Sequence, residues 1–231
     1  MEQTYISYDT LYWIIFGATA IASWLVQMSL NRKFKKYSAV GLPMTGKEVA
    51  EKMLRDNGIT DVQVISTSGM LTDHYNPANK TVNLSEAVYG SASVAAAAVA
   101  AHECGHALQH QKAYAPLSFR SRMVPVLSAT NRFMPWILLA GMLLLQYTPI
   151  PLAVGVVLFG LTTVFSFVTL PVEVDASRRA VNWLQDAGIT NREQTEMASD
   201  ALHAAAYTYV VAALASLANL LYYALLLVKR D

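Results

Sequence analysis

The residues His102-Glu103-Cys104-Gly105-His106 form an H-E-x-x-H pattern inside an alanine-rich segment that favours a helix. On a helix, side chains four positions apart lie on one face, so both imidazoles can bind a single Zn²⁺ ion. Glu103 lies beside them, where its carboxylate can act as a general base. The spacing therefore predicts two zinc ligands, His102 and His106, and the catalytic base of a zinc metalloprotease.

The pattern lacks one ligand, because catalytic zinc usually has three protein ligands. His110 lies on the same helical face, but it is about 12 Å along the axis from His102, too far to share one ion. The longer metzincin pattern is excluded, since this chain has Gln109 where that pattern has glycine and Lys112 where it has histidine. The third ligand must therefore come from another segment.

The composition indicates a membrane protein. The chain is 54% hydrophobic and only 14% charged, whereas a soluble domain carries about 25% charged residues. The formal net charge of +1 does not favour nucleic acid as a partner. Cys104 is the only cysteine, which excludes an intrachain disulfide, and we predict that it lies in the core rather than on the metal.

Four segments are apolar and close to the length of about 20 residues that crosses a bilayer. The chain is predicted to form one integrated catalytic unit in which the spans flank two cytoplasmic regions. The predicted division is transmembrane helix 1 at 11–30, a zincin-like cytoplasmic region at 38–130, a two-span transmembrane hairpin at 133–170, cytoplasmic helices at 171–206 and transmembrane helix 4 at 207–228. The second span is short, so either it begins before Arg132 or the bilayer is thinner there.

Basic residues set the predicted orientation. The first span is followed by four basic residues, Arg32, Lys33, Lys35 and Lys36, and the positive-inside rule places that end in the cytoplasm. Lys229 and Arg230 would fall on the opposite side, but two terminal charges do not outweigh the larger cluster. The predicted site therefore faces the cytoplasm.

Glu173 is the best candidate for the third ligand. A helix is predicted to begin at Pro171, because proline is tolerated in a first helical turn, and small residues beside Glu173 allow close approach to the zinc helix. Two spans separate His106 from Glu173, so both lie on the same side of the membrane. The alternative is that Glu173 only complements the positive helix N-terminus. Asp175 points elsewhere on an ideal helix, so it is predicted to support the site without binding metal.

The remaining signals predict short elements around the zinc helix. They are a helix opened by the capping box Thr45–Glu48, strands at Val62–Ile65 and Lys80–Leu84, a long helix at Ser85–Gln111, a helix from Pro171 that stops at Gly188, and a helix capped by Thr190 and Glu193 that continues into the fourth span. An edge strand can hold an extended peptide. The predicted fold class is a mainly α integral membrane protein with about four transmembrane helices and a zincin-like cytoplasmic part that contains a small β-hairpin or sheet.

Four further side chains are candidates for secondary roles. His74 precedes a turn and either lines the cleft or has no catalytic role. His203, Tyr207 and Tyr209 lie near the entry to the fourth span, where any of them can stabilise the oxyanion of a transition state.

Four stretches carry a resemblance to a known family: Leu71–Pro77, Val82–Ser85, Ala101–His110 and Leu170–Ala180. They are similar to the YugP-type membrane zinc metallopeptidases, over nearly the whole chain. The resemblance implies a neutral zinc metallopeptidase in a bacterial cytoplasmic membrane, distantly similar to the HtpX-type gluzincins.

The resemblance also implies roles for individual residues. By that likeness His102, His106 and Glu173 are the zinc ligands and Glu103 is the base. HtpX-type enzymes usually have an acidic residue four positions after the ligand glutamate, where it supports a zinc histidine. Ser177 occupies that position here and the acid is at Asp175, so this support cannot be transferred.

The predicted function is hydrolysis of peptide bonds at the cytoplasmic membrane surface, in membrane-associated or unfolded polypeptides, with Zn²⁺ as cofactor. The bilayer is the second expected partner, and protein regulators or an oligomer are compatible with the sequence. One alternative is a zinc-binding membrane scaffold without activity, although such a protein would not need Glu103. Another is a metal transporter, which the polar continuation of the motif helix at 109–112 disfavours.

Overall fold

The computed structural model describes residues 8–228, which form seven helices and one three-stranded sheet. The helices are α1 (Tyr8–Ser38), α2 (Gly46–Asp56), α3 (Glu86–Tyr89), α4 (Val94–Gln111), α5 (Ala115–Leu144), α6 (Ile150–Asp186) and α7 (Arg192–Val228). The strands are β1 (Gln63–Thr67), β2 (His74–Asn76) and β3 (Thr81–Ser85). Lys229 and Arg230, which are predicted to fall on the side of the membrane opposite the basic cluster, lie outside the described residues.

The chain divides into two compact units, and four helices, α1, α5, α6 and α7, have residues in both. Of the described residues, the first unit contains 8–26, Phe119–Thr169 and 208–228. The second contains Gln27–Ser118 and Leu170–Tyr207.

Within residues 8–228, four helices are long and apolar enough to cross a membrane. They are Thr10–Ser38, Ala115–Leu144, Ile150–Asp186 and Arg192–Val228. The most apolar window of the first is 0% buried, so its side chains are available to lipid. The helix that contains the second span begins at Ala115, well before Arg132, which resolves the short length inferred from hydropathy. The predicted mainly α membrane fold is confirmed.

Close helix packing characterises the first unit. A Cβ atom added to Gly141 would lie 2.7 Å from the Cα atom of Leu152, so glycine permits the contact between α5 and α6. A buried hydrogen bond of 2.8 Å joins the hydroxyls of Thr163 on α6 and Ser216 on α7. Small and hydroxylated residues are the usual means of holding helices together in a membrane.

The sheet in the second unit has the strand order β1-β3-β2. β1 runs parallel to β3, and β2 runs antiparallel to it. Val82 and Leu84 of the central strand are fully buried. The two predicted strands are therefore present with bounds shifted by one or two residues, and they are the parallel pair rather than a hairpin. The short edge strand β2 was not predicted.

Helix α2 packs against α4 beside the sheet. Its predicted capping box is confirmed, since Glu48 accepts a hydrogen bond of 2.8 Å from the Thr45 N–H and donates its own N–H to the Thr45 hydroxyl. Val49 and Met53 of α2 are fully buried against the alanine-rich helix α4.

Three predicted helix boundaries are wrong. The chain from Ser85 to Gln111 is not one helix, because α3 ends at Tyr89 and the Ser93 hydroxyl caps a new helix by accepting from the Ala96 N–H. The cap of α7 is a reciprocal pair between Asn191 and Gln194, one position after the predicted Thr190 and Glu193.

The third wrong boundary is at Pro171. This residue lies inside the continuous helix α6 and does not begin a new one. Proline removes a single N–H donor, and a long apolar helix held by neighbouring helices tolerates that loss. The third predicted span and the segment with Glu173 are therefore parts of one helix.

Candidate metal centre

Helix α4 carries the H-E-x-x-H residues on a backbone that comes very close to α6. A Cβ atom added to Gly105 would lie 2.7 Å from the carbonyl oxygen of Ala176, so only glycine fits between the two histidines. Ala176 and Ala180 on α6 are fully buried, which completes a contact made by small residues. This approach brings a carboxylate of α6 within reach of both imidazoles.

His102, His106 and Glu173 form one cluster. Their ligand atoms all lie within 4.8 Å of one another. The Glu173 Oε2 atom is 3.2 Å from His102 Nε2 and 3.6 Å from His106 Nε2. Two atoms bound tetrahedrally to one zinc ion at about 2.1 Å would lie about 3.4 Å apart, so both separations suit a shared ion.

The chemistry of the cluster also fits zinc. Two imidazole nitrogens and one carboxylate oxygen are the donor set of His₂Glu catalytic zinc sites. Burial lowers the pKa of the His106 imidazole, but the carboxylates of Glu173 and Glu103 outweigh that effect and raise this pKa above its ordinary value. The surrounding negative charge thus favours a cation at this position.

Glu103 is buried, with 8% of the residue exposed, and its carboxylate is held by the main chain of the sheet. Its Oε2 atom accepts a hydrogen bond of 3.0 Å from the N–H of Tyr75 on the edge strand β2. The Tyr75 N–H thus points away from β3 and toward α4, so the outer edge of β2 borders the site.

Both ligand-type histidines have a second partner on the nitrogen that faces away from Glu173. The His106 Nδ1 atom lies 3.0 Å from the Gln109 side-chain oxygen. The Gln109 amide nitrogen in turn donates to the Val172 carbonyl at 2.8 Å and to Asp175 at 3.0 Å. The His102 Nδ1 atom lies 3.1 Å from the Ser177 hydroxyl.

The other histidines lie apart from this cluster. His110 is exposed, and its Nδ1 atom lies 2.8 Å from the Tyr75 hydroxyl. His74 is exposed on β2, with its Nδ1 atom 2.8 Å from the Thr72 carbonyl. His203 is exposed on α7.

The remaining candidates lie on α7 and on the far face of α4. Tyr207 is exposed and Tyr209 is half-buried on α7, and their suggested part in stabilising an oxyanion stays a prediction. Cys104 is fully buried with its thiol 3.5 Å from the Ala50 carbonyl, and burial raises the pKa of that thiol. A thiol held against α2 in this way is a core residue.

Four contributors to the site were not found from the sequence: Gly105, Gln109, Ser177 and the Tyr75 N–H. Gln109 and Ser177 had a detectable signal, since they lie three and four positions after the candidate ligands His106 and Glu173, on the same helical faces. The Tyr75 contact depends on β2, which is too short to carry a clear alternation.

The fold and the cluster together define a membrane protein with a candidate zinc centre between two helices. Residues 12–228 match the model of a family described as "putative neutral zinc metallopeptidase". The chain is also 40% identical, over 210 residues, to the "putative membrane protease YugP" of Bacillus subtilis, covering 90% of this chain and 92% of that protein. No solved structure matches the chain.

The chain belongs to this family of neutral zinc metallopeptidases. The resemblance noted in the sequence is thereby confirmed, as is Zn²⁺ as the cofactor that the family implies. The relative's description and the four apolar helices agree that the protein belongs to a membrane.

Proposed function

We propose that the protein is a multi-pass endopeptidase of the bacterial cytoplasmic membrane that hydrolyses peptide bonds at the cytoplasmic surface. The observation that carries this proposal is the convergence of His102, His106 and Glu173 beside the buried Glu103 carboxylate. A scaffold that only bound zinc would need the first three residues but not the fourth.

In this proposal His102 and His106 of α4 and Glu173 of α6 hold the metal. Bound zinc supplies Lewis-acid chemistry, polarising a scissile carbonyl and making water easier to deprotonate. Glu103 takes the proton from the attacking water and delivers it to the leaving amine. The hydrogen bond from the Tyr75 N–H fixes the Glu103 carboxylate in position for both transfers.

The edge strand β2 is the proposed binding surface for the substrate main chain. The N–H of Tyr75 marks the edge that borders Glu103, and an extended polypeptide can pair with such an edge whatever its side chains are. Unfolded chains and membrane-associated segments without regular structure are therefore the proposed substrates. His74, on the same strand, is placed to border this cleft.

The proposed orientation rests on the basic cluster at the end of α1. Lys33 and the neighbouring basic residues directly follow the apolar part of the helix, as expected on a cytoplasmic side. Lys33 also forms an ion pair of 2.7 Å with Asp200 of α7, and both residues belong to the second unit, which carries the metal cluster.

A transporter is not supported, because that hypothesis requires the motif inside a span. Among the residues described, the four helices long and apolar enough to span do not include α4. Fourteen of the 18 residues of α4 are buried instead, largely by α2 and the sheet.

The test is proteolysis by wild type and Glu103→Gln, both purified in lipid nanodiscs and loaded with zinc. We expect wild type to cleave β-casein, an unfolded polypeptide, and the variant to be about 10²–10⁴-fold slower with its zinc retained. Glu86→Gln is the matched control, since Glu86 is exposed and should cleave like wild type.

The same pair of proteins identifies natural substrates when new N-termini are mapped in cell membranes. Cleavage by Glu103→Gln at the wild-type rate would overturn the proposed mechanism. Zinc-loaded wild type that generates no new N-termini in membranes or in casein would favour the scaffold instead.

A further inference from the structure

Gln109 is a fully buried glutamine, three residues after His106 on α4. A buried amide is destabilising unless its hydrogen-bonding groups have partners. Its amide nitrogen has two acceptors on α6, the Val172 carbonyl at 2.8 Å and an Asp175 oxygen at 3.0 Å. Its side-chain oxygen lies 3.0 Å from His106 Nδ1.

These partners allow only one orientation of the Gln109 amide. If the amide were flipped, its carbonyl oxygen would face the Val172 carbonyl and the Asp175 carboxylate, which are both acceptors. The Val172 carbonyl can only accept, and the Asp175 carboxylate oxygens lie 2.6 Å from Arg178 and Arg179, whose guanidinium groups donate to them.

The orientation of the amide determines which nitrogen of His106 carries hydrogen. Because the oxygen of Gln109 faces Nδ1, Nδ1 must be the donor. In the neutral ring the other nitrogen, Nε2, is then left with its lone pair, and Nε2 is the atom that faces Glu173. A metal ligand needs that lone pair.

We propose that Gln109 is a positioning residue that fixes the tautomer and the ring orientation of His106, and that Asp175 with its two arginines fixes Gln109. This inference rests on the metal centre of the proposed function. It does not depend on the reaction, because it concerns how tightly and in what geometry the metal is held.

The test compares Gln109→Met, which keeps the approximate size and removes the hydrogen bonds, with Gln111→Met, an exposed position on the same helix. Zinc affinity is measured by competition with a chelator. We expect Gln109→Met to bind zinc about 10–100-fold more weakly, which is the usual effect of losing a partner of a ligand histidine. Gln111→Met should bind like wild type.

A second readout separates positioning from packing. Co²⁺ replaces zinc in each variant, and the visible absorption spectrum reports the geometry of the ligands whether or not the protein is active. Gln109→Met should change that spectrum. Gln111→Met should keep the wild-type spectrum.

If Gln109→Met does not fold, Asp175→Asn provides the test, because it removes the carboxylate that Arg178 and Arg179 hold against the Gln109 amide and leaves the Val172 carbonyl as its one fixed acceptor. Its zinc affinity should fall and its Co²⁺ spectrum should broaden. Wild-type affinity and spectrum in the folded variant would overturn the inference. The proposed function would survive that result, since it depends on Glu103 and the three ligands.

Discussion

The surroundings of the two histidines of α4 differ although the residues belong to one motif. His106 contacts a buried amide whose orientation is set by a carbonyl, a carboxylate and two arginines. The His102 Nδ1 atom contacts the Ser177 hydroxyl, at 3.1 Å. A hydroxyl can donate or accept, so Ser177 does not determine which nitrogen of His102 carries hydrogen.

This difference indicates that the two ligands are prepared for the metal to different degrees. The His106 side is organised by α6 before a metal arrives, whereas the His102 ring can adopt the tautomer that the metal requires. A side chain that is already ordered loses less entropy on binding. Removing a hydrogen bond on the His106 side should therefore weaken zinc binding more than removing one on the His102 side.

Removing either imidazole should have the largest effect on zinc binding, because it removes a candidate ligand and not only a partner of one. His102→Ala and His106→Ala each leave two candidate ligands, so we expect substoichiometric zinc and no detectable proteolysis in both. Elemental analysis of the purified proteins measures the zinc, and His110→Ala is the matched control. Full zinc occupancy in either variant would exclude that histidine as a ligand.

Gly105→Ala should weaken the contacts that α6 makes with both His102 and His106. The new Cβ atom would meet the Ala176 carbonyl oxygen at 2.7 Å and separate α4 from α6. We expect about 1–3 kcal/mol of destabilisation of the metal-free protein, the usual effect of overpacking, together with weaker zinc binding. Thermal unfolding and zinc titration measure the two effects.

Gly90→Ala is the control for that experiment, since a Cβ atom there has nothing within 4 Å. A Gly105→Ala protein as stable as Gly90→Ala, with wild-type zinc affinity, would show that the close approach of the helices is not required.

Ser177→Ala tests directly whether zinc binding depends less on the partner of His102 than on the partner of His106. Because the hydroxyl leaves the His102 tautomer undetermined, its loss should weaken zinc binding by about tenfold or less, at the low end of the range for such contacts. Zinc titration beside Gln109→Met makes the comparison. If Ser177→Ala costs as much affinity as Gln109→Met, the two sides are equivalent and the distinction is wrong.

The smallest effect is expected at Cys104, on the opposite face of α4. Cys104→Ala removes a buried thiol and its contact with Ala50, so stability should fall by on the order of 1 kcal/mol. Zinc stoichiometry and the Co²⁺ spectrum should not change. A lost or altered spectrum would mean that the thiol contributes to the metal centre after all.

Much of the candidate centre could be predicted because its signals are local. The H-E-x-x-H spacing follows from one turn of helix, and Glu173 followed from counting two apolar spans. The structure brings these three metal-binding candidates together. The helical periodicity also predicts the helices that carry them, although Pro171, the predicted start of one helix, lies within α6.

The parts that could not be predicted depend on contacts between distant segments. Gln109 is an ordinary polar residue near a helix end until Val172 and Asp175 are known to face it. The hydrogen bond from Tyr75 to Glu103 spans 28 positions and comes from a strand of three residues. Periodicity carries no information about such pairs, because it describes one element at a time.

The most direct test of the account is the zinc content of Glu173→Ala beside that of Glu103→Gln. The account predicts one zinc ion per chain in wild type and in Glu103→Gln, and a large loss of zinc in Glu173→Ala, because α6 then provides no ligand. Glu193→Ala, at an exposed glutamate of α7, is the control and should keep its zinc. A Glu173→Ala protein that holds one zinc ion with wild-type affinity would contradict the proposed metal centre.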